Sequence, residues 1–239
     1  SRVKEAVQVL QGHFVSKEAE YQKYCQIDIL ENDPAGMIKR LQSYTERLTH
    51  IPFYTQVEDI IKVGIARYKE KYLPGIKSED PFVLYEKYSR RDVSLLMNCG
   101  KDLSSIMYGM KRIENDVFIF ITYHKEESQD EKNYVDGKPD YADAFEDNLI
   151  FKWDSQIGKG LDSSYMKDVL GADRKHLFVK KSDAETSFYY MGQFDVLEAR
   201  NAQKEDNHGR MQPITKVTMK MHHAVREDLL RYLQSHITA

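Results

Sequence analysis

The sequence predicts an α+β fold, in which an N-terminal helical segment precedes a small, curved or closed sheet with flanking helices. Three observations predict it. Apolar residues recur at three- and four-residue intervals up to about residue 82, and at every second residue afterwards. The strands of the second part are short and closely spaced, as in small barrels. No βαβ alternation of strands and helices is visible among them.

Residues 1–82 are predicted to be helical. Apolar spacings of three and four recur in KEAVQVLQGHF and KEAEYQKYCQIDILEN. The stretch DPAGMIKRLQSYTERL begins with Asp33 as an N-cap and Pro34 at the first helical position. QVEDIIKVGIARYKEKYLPG is a further helix that ends at its Pro-Gly pair. SEDP is typical of a linker, so the sequence predicts a helical segment over 1–82 and a second domain over 83–239.

The second domain is predicted to consist of strands between two helices. Ser89 and Asp92 resemble a capping box that opens a short helix. Strand-like stretches follow, namely SSIMYGMKR, DVFIFITYH, NLIFKWDSQ, HLFVKKSD, SFYYMGQFDVLE and ITKVTMKMHH. AVREDLLRYLQSH is a final helix. The acidic segment 126–147 favours a solvated loop, and a loop that lines a site is the alternative.

Composition limits the classes of protein that fit. The chain has 239 residues and a net charge of −3, so any nucleic-acid surface must be a local patch. No apolar run approaches the roughly 20 residues of a membrane span, and no membrane partner is expected. Cys25 and Cys99 fit no metal or redox spacing, and two lone thiols indicate a reduced, cytoplasmic compartment. The chain is already amphipathic at VKEAVQVL, directly after its first two residues. We therefore expect the chain to be a fragment from the C-terminal part of a larger protein.

No catalytic constellation is complete in the sequence. Asp195, Glu198 and Arg200 come near the carboxylate cluster of a metal-dependent nuclease, but an arginine replaces the lysine. The neighbouring His222 and His223 would point to opposite faces of a strand, so they cannot share one metal. Motifs of serine hydrolases, zinc proteases and phosphate-binding loops are absent. The sequence therefore predicts a non-catalytic domain that needs no metal and no cofactor.

The stretch NLIFKWDSQ raises the possibility of a ligand pocket. In a strand, the rings of Phe151 and Trp153 lie on one face. A lone strand tryptophan is most often a core residue, and a pocket wall is the alternative. A group of cations favours the second interpretation, because cations neutralise phosphates while flat rings stack on bases. These cations are Lys101, Lys111, Arg112, Lys125, Lys152, Lys159, Lys180 and Lys181, beside the aromatic residues Tyr108, Tyr123, Phe151 and Trp153.

Four stretches carry a family resemblance. LYEKYSRRDVSLLMNCGKDLSSIMYGMKRIENDVFIFITYHK resembles the start of a C-terminal domain found behind bacterial DEAD/DEAH-type helicase cores. NLIFKWDSQ, HLFVKKSDAETSFYYMGQ and HHAVREDLLRYL match its later blocks in the same order, so that the resemblance covers residues 84–236. The chain is similar in particular to the end of SauUSI-type, ATP-dependent type IV restriction enzymes. These combine a phospholipase-D-like nuclease, a helicase, a helical connector and an SRA-like reader of 5-methylcytosine.

The resemblance implies a fold, partners and a site. Residues 1–82 would be the end of the helical connector, and residues 83–239 an SRA/PUA-like β-barrel. Its partners would be duplex DNA that contains 5-methylcytosine and the helicase and nuclease domains of the same parent chain. SRA-like domains extrude the modified base into a pocket. The residues expected in the pocket are Tyr108, Tyr123, Phe151 and Trp153 as ring faces and Asp154, Ser155 and Gln156 for the base edge.

Two other functions remain open at the level of the sequence. One is a protein-interaction domain that docks the helicase to the nuclease. The other is a metal-dependent nuclease domain.

Overall fold

The computed structural model describes residues 29–32, 37–72, 81–97, 99, 101–124, 134–135, 138–139, 143–206 and 208–235. The chain divides into two compact units. The first unit comprises Ser1–Val83 and Arg90–Ser105, and the second comprises Leu84–Ser89 and Ile106–Ala239. The domain boundary between residues 82 and 83 stays a prediction.

The described residues of the first unit form a short sheet and three α-helices. Strands β1 (Leu30–Asn32) and β2 (Ile38–Arg40) pair antiparallel. They are followed by the helices α1 (Gln42–Arg47), α2 (Ile51–Tyr72) and α3 (Arg90–Leu96). The helix predicted over QVEDIIKVGIARYKEKY is therefore confirmed. Within the described part of the chain, no helix is long and apolar enough to cross a membrane.

The helical prediction is wrong at β1 and β2. Apolar spacing cannot distinguish a helix from a strand over so few residues, and backbone hydrogen bonds between the two strands decide the conformation. The predicted cap at Asp33 and Pro34 and the helices predicted over residues 1–28 lie outside the described residues.

The second unit is built on an eight-stranded sheet. Its strands are β3 (Lys87–Tyr88), β4 (Met110–Ile113), β5 (Asp116–His124), β8 (Ala144–Phe145), β9 (Ile150–Asp154), β10 (Arg174–Ser182), β11 (Phe188–Glu205) and β12 (Met211–Met221). They are hydrogen-bonded in the order β4-β5-β10-β11-β12-β9-β8, and β3 pairs with β11. Strands β6 (Tyr134–Val135) and β7 (Lys138–Pro139) form a separate pair. The helices are α4 (Ser164–Leu170) and α5 (Glu227–Gln234).

The sheet is mixed and open. Strands β5 and β10 run parallel, whereas the other pairs are antiparallel. Among the described strands no pairing joins β4 to β8, so the closed alternative of the predicted sheet is not formed. Helix α4 was not predicted, and Ser163 caps it by accepting a hydrogen bond from the Met166 amide at 3.3 Å. The α+β class of the fold is confirmed.

The sheet is buried on both faces near its centre. In DVFIFITYH the odd-numbered positions, such as Val117 and Ile119, join the main core. The even-numbered Phe118 and Phe120 contact Phe178 with ring centroids 6.3 and 5.0 Å apart. A strand with apolar residues on both faces is typical of a parallel pair in the interior of a sheet. This core supports the outer strands β9 and β12, which carry the candidate site.

Candidate nucleic-acid interface

Strand β9 places the two predicted rings together, but inside the core. Phe151 and Trp153 share a face, as their alternation predicts, and both belong to the main core cluster. Trp153 is only 5% exposed, and its ring centroid lies 6.3 Å from that of Tyr165 on α4. Phe151 packs edge-on against Phe145 at 4.7 Å. In this conformation neither ring offers an open face to a base.

Tyr123 is placed in the same way. It lies on β5, is buried within the main core, and contacts the ring of His124 at 5.3 Å. The structure therefore assigns packing to three of the four predicted rings, whose role in a base pocket stays a prediction.

The loop after β9 is held by buried hydrogen bonds. The Ser155 hydroxyl donates to the carbonyl of Lys159 at 2.6 Å and accepts from the Thr215 amide at 2.8 Å. The Asp154 carboxylate lies 3.7 Å from the Lys216 ammonium. Burial raises the pKa of the Asp154 carboxyl, which the nearby lysine only partly offsets. The Ser155 hydroxyl therefore stabilises the loop through hydrogen bonds within the protein, and Asp154 lies at the start of this loop.

Tyr108 and Gln156 form the exposed part of the site. The Tyr108 side chain is 65% exposed, and its carbonyl accepts a hydrogen bond from the Gln156 side-chain amide at 3.4 Å. Between Tyr108 and β4 lies Gly109, whose φ of +71° favours glycine. A Cβ atom there would lie 2.5 Å from Gln156 Nε2. The glycine therefore permits the close approach of these two loops.

A buried hydroxyl lies beside this contact. The Tyr165 hydroxyl has no hydrogen-bond partner among the residues that the structure describes. It lies 3.3 Å from the position that a Cβ on Gly109 would occupy. Burial, with a contribution from the Asp143 carboxylate, raises the pKa of Tyr165, so the hydroxyl keeps its proton at neutral pH. We call Tyr108, Gln156 and Tyr165 the rim cluster.

Four predicted cations of the second unit are partly engaged or half-buried. Lys159 lies over the Tyr165 ring at 6.0 Å. Arg112 donates to the Glu114 carbonyl at 3.0 Å and lies 3.4 Å from the Asp168 carboxylate. Lys111, on the same strand, is half-buried. Lys152 faces outward from β9 and lies 3.3 Å from the Glu146 carboxylate.

Two predicted DNA contacts belong to a different network. Lys180 is 11% exposed and lies 3.3 Å from Asp183. The Lys181 ammonium donates to the Ser235 hydroxyl at 2.7 Å and lies over the Tyr232 ring. Both lysines surround Glu185, so they stabilise the loop before β11 in this structure. Lys101 lies in the first unit, and Lys125 lies outside the described residues.

Sequence reasoning missed a row of cations on the outer face of β11 and β12. In TKVTMKM the lysines alternate with buried apolar residues, so Lys216 and Lys220 point away from the core. Arg200 pairs with Lys216 across the strands and therefore shares its face. Lys204 is also exposed. The period-two alternation of ITKVTMKM could have identified these cations. It predicted the strand, and the same alternation places both of its lysines on the outer face.

The carboxylates of the nuclease alternative lie in exposed ion pairs. Asp195 is exposed and pairs with His222 at 3.2 Å, while Glu198 lies 3.9 Å from Arg200. Within the described residues, no group of three or more His, Cys, Asp or Glu side chains is arranged to hold a metal ion.

Together, the mixed sheet and the rim cluster define an α+β domain with an exposed edge of aromatic and amide groups. The chain belongs to the family described as a domain of unknown function (DUF3427), whose model matches residues 82–233. No curated protein matches the chain.

Three solved structures are similar to parts of the chain, each at 10% identity. Arabidopsis thaliana SUVH6 in complex with SAM has a TM-score of 0.39 and covers 71% of this chain and 32% of its own. The MspJI restriction endonuclease in complex with a 27-mer oligonucleotide has a TM-score of 0.29, covering 49% and 37%. The sulfur-binding and SRA domains of ScoMcrA, complexed with phosphorothioated DNA, have a TM-score of 0.32, covering 64% and 45%.

The chain thus spans less than half the length of each of these proteins. Their TM-scores lie below 0.5.

Proposed function

We propose that the second unit is a DNA-binding reader that recognises 5-methylcytosine in duplex DNA by extruding the base, as an SRA-like domain would. The juxtaposition in the rim cluster carries this proposal. An exposed ring can stack on an unstacked base, and an amide and a protonated hydroxyl can pair with its polar edge. Extrusion costs a few kcal/mol of stacking and pairing, which these contacts must offset.

The rim cluster replaces the buried rings as the centre of this proposal. Tyr108 supplies the accessible ring face, because it is the most exposed of the four predicted aromatic residues. Gln156 has both donor and acceptor atoms for a Watson–Crick edge. The Tyr165 hydroxyl is a buried donor without a partner in the described structure, and a base carbonyl would satisfy it.

The phosphates would be held by cations around the rim. Lys159, Lys111 and the outward Lys216 belong to strands or loops that adjoin it. Because such contacts release counterions, the affinity should fall steeply with salt. We further propose that this fragment is non-catalytic, needs no cofactor, and serves the helicase and nuclease of a cytoplasmic type IV restriction enzyme.

Tyr108→Ala tests the proposal directly. We expect it to weaken binding of methylated duplex by about 5- to 150-fold, the equivalent of about 1–3 kcal/mol for one stacked base. Unmethylated duplex, in which no methylated base is extruded, should be affected far less. Tyr108→Phe keeps the ring face and is the matched control. Fluorescence anisotropy at one salt concentration measures both affinities, and 2-aminopurine opposite the methylated site reports extrusion.

Equal wild-type affinity for methylated and unmethylated duplexes of one sequence would refute the proposal. A folded Tyr108→Ala protein with unchanged methyl preference would remove Tyr108 from the site. Gln156→Ala then decides whether any part of the rim cluster contacts the base.

A second candidate function, docking of other domains of the parent protein, is favoured by helix α2. Its exposed apolar residues include Ile51, Ile60 and Tyr68, which a solvated helix seldom carries together. If α2 docks the helicase domain, Ile60→Asp should abolish co-purification with a separately expressed helicase domain and leave DNA affinity unchanged. Asp59→Asn, the neighbouring exposed position, is the control. Retained co-purification of Ile60→Asp would exclude this surface.

A further inference from the structure

The hairpin of β11 and β12 continues beyond the strand that flanks it. The last row shared with β9 joins Lys216 to Asp154. Past this row β11 and β12 pair through five more positions, from Asn201 opposite Thr215 to Glu205 opposite Met211. No other described strand pairs with this portion. At about 3.4 Å per residue it spans roughly 17 Å, and we call it the arm.

The arm is fixed at its base. The Gly158 amide donates to the Pro213 carbonyl at 2.9 Å, and the Leu161 amide donates to Asn201 Oδ1 at 2.9 Å. A register shift between Val196 and Glu198 precedes the arm. Such bulges bend a strand and increase its local twist.

Hydrogen bonds also join the described residues of the tip. The Asp206 carboxylate accepts from the amides of His208 and Arg210 at 2.8 and 3.0 Å and from the Gln212 side chain at 3.2 Å. Gly209 has a φ of +73°, which suits this tight connection. Both ends of the arm are therefore held before any ligand binds.

One face of the arm and its base carries hydrogen-bond donors of the kind that read bases. Paired residues across two antiparallel strands share a face, so Arg200 lies beside Lys216 and Lys204 lies beside Gln212. The carboxylates of Glu198 and Asp154 lie 3.9 and 3.7 Å from Arg200 and Lys216. Ion pairs of exposed Arg200 and Glu198 are weak, so the guanidinium can exchange partners.

These dimensions and side chains fit the major groove of duplex DNA. A two-stranded ribbon enters this groove, which is about 12 Å wide. Arginine and lysine pair with guanine there, and glutamine pairs with adenine. Thr215 and Ile214, in the first two rows of the arm, are buried. Its other three rows, at about 3.4 Å each, lie along about three base pairs.

We propose that the arm and its base lie in the major groove beside the modified base and select the flanking base pairs through Arg200 at the base and Lys204 and Gln212 on the arm. This inference rests on the proposed DNA-reading function and adds its sequence-context specificity. The rim cluster would recognise the methylated base, and the arm would recognise its neighbours.

The test compares Lys204→Ala/Gln212→Ala with the wild type on a set of methylated duplexes. The two base pairs on either side of the methylated cytosine are varied, and anisotropy is measured at one salt concentration. We expect the wild type to prefer certain flanks and the variant to lose between about 5- and 150-fold of that preference, the usual discrimination of one bidentate contact. The preference for methylated over unmethylated DNA should be unchanged. Arg231→Ala/Gln234→Ala, an exposed cation and amide on α5, should behave as the wild type.

The groove is identified with 7-deazaguanine in the flanks. Loss of the N7 acceptor should weaken wild-type binding, and it should weaken the variant less, because the variant keeps only Arg200 of the three proposed base contacts. The inference is wrong if the wild type has no flank preference, if the folded variant keeps it, or if 7-deazaguanine has no effect. If the double variant has a lowered melting temperature, the single variant Lys204→Met is measured in the same assay, because it keeps the aliphatic stem. Loss of flank preference in this variant would support the inference, and an unchanged preference would contradict it. Absence of methyl preference in the wild type would refute the proposed function alone, since flank preference is read equally on unmethylated duplexes.

Discussion

Replacing Trp153 with alanine is expected to lower the free energy of unfolding by about 3–5 kcal/mol. The indole is buried between β9 and α4, where it contacts the Tyr165 ring, so its removal leaves a cavity in the core. For a domain of this size, the loss corresponds to a fall in melting temperature of roughly 6–20 °C. Differential scanning calorimetry and chemical denaturation measure both quantities.

Trp153→Phe is the matched control, because it keeps an apolar ring and should cost much less stability. At a temperature where the alanine variant is folded, its preference for methylated DNA should be close to that of the wild type. Loss of that preference in a folded variant, with little change in stability, would instead return Trp153 to the wall of the base pocket.

Asp116→Asn is expected to cost on the order of 3 kcal/mol of folding stability, because it breaks a buried ionic network. The Asp116 carboxylate, almost fully buried, accepts two hydrogen bonds from the Arg174 guanidinium at 2.6 and 2.7 Å. His176 Nε2 lies 2.9 Å from the same carboxylate, and its Nδ1 lies 3.0 Å from the Tyr190 hydroxyl. An asparagine side chain has one acceptor oxygen and one NH2 donor. Its NH2 group would face the N–H groups of Arg174 or His176, so at least one of these hydrogen bonds would be lost.

The network also predicts a pH dependence of stability. Burial raises the pKa of Asp116, but the hydrogen bonds from His176 and Arg174 outweigh burial and hold the pKa at about 2, below its ordinary 3.8. The difference corresponds to about 2 kcal/mol at neutral pH. This stability is present in full above the unfolded pKa near 3.8 and is lost as the pH falls through the folded pKa of about 2.

Acid titration of the unfolding free energy checks this prediction. Asp116→Asn should remove this part of the acid-dependent loss. Asp228→Asn is the control, since the Arg226 guanidinium likewise holds the pKa of Asp228 at about 2, but on the surface, where the pair contributes little. Equal effects of the two substitutions would contradict a structural role for the buried network.

Part of the candidate site was predictable from sequence patterns. The alternation in NLIFKWDSQ predicted a strand with Phe151 and Trp153 on one face, and the structure confirms that placement. The alternation did not indicate that α4 packs over this face. The helix has only seven residues, SYMKDVL, and two turns are too few for a helical period to be recognised in the sequence. A ring that is a pocket wall in an open sheet becomes a core residue once a helix covers it.

The sequence by itself determined the α+β class and most strands of the second unit. The alternation of ITKVTMKM also fixes the outward direction of Lys216, although that direction was not predicted. Only the tertiary structure decided that Tyr108 meets Gln156, 48 positions away along the chain, and that β11 and β12 extend past β9 as an arm. A period-two pattern specifies which side chains share a face, but it does not specify which strand is the neighbour. Strand order and length of pairing depend on contacts between distant segments, and those contacts place the rim cluster and the arm.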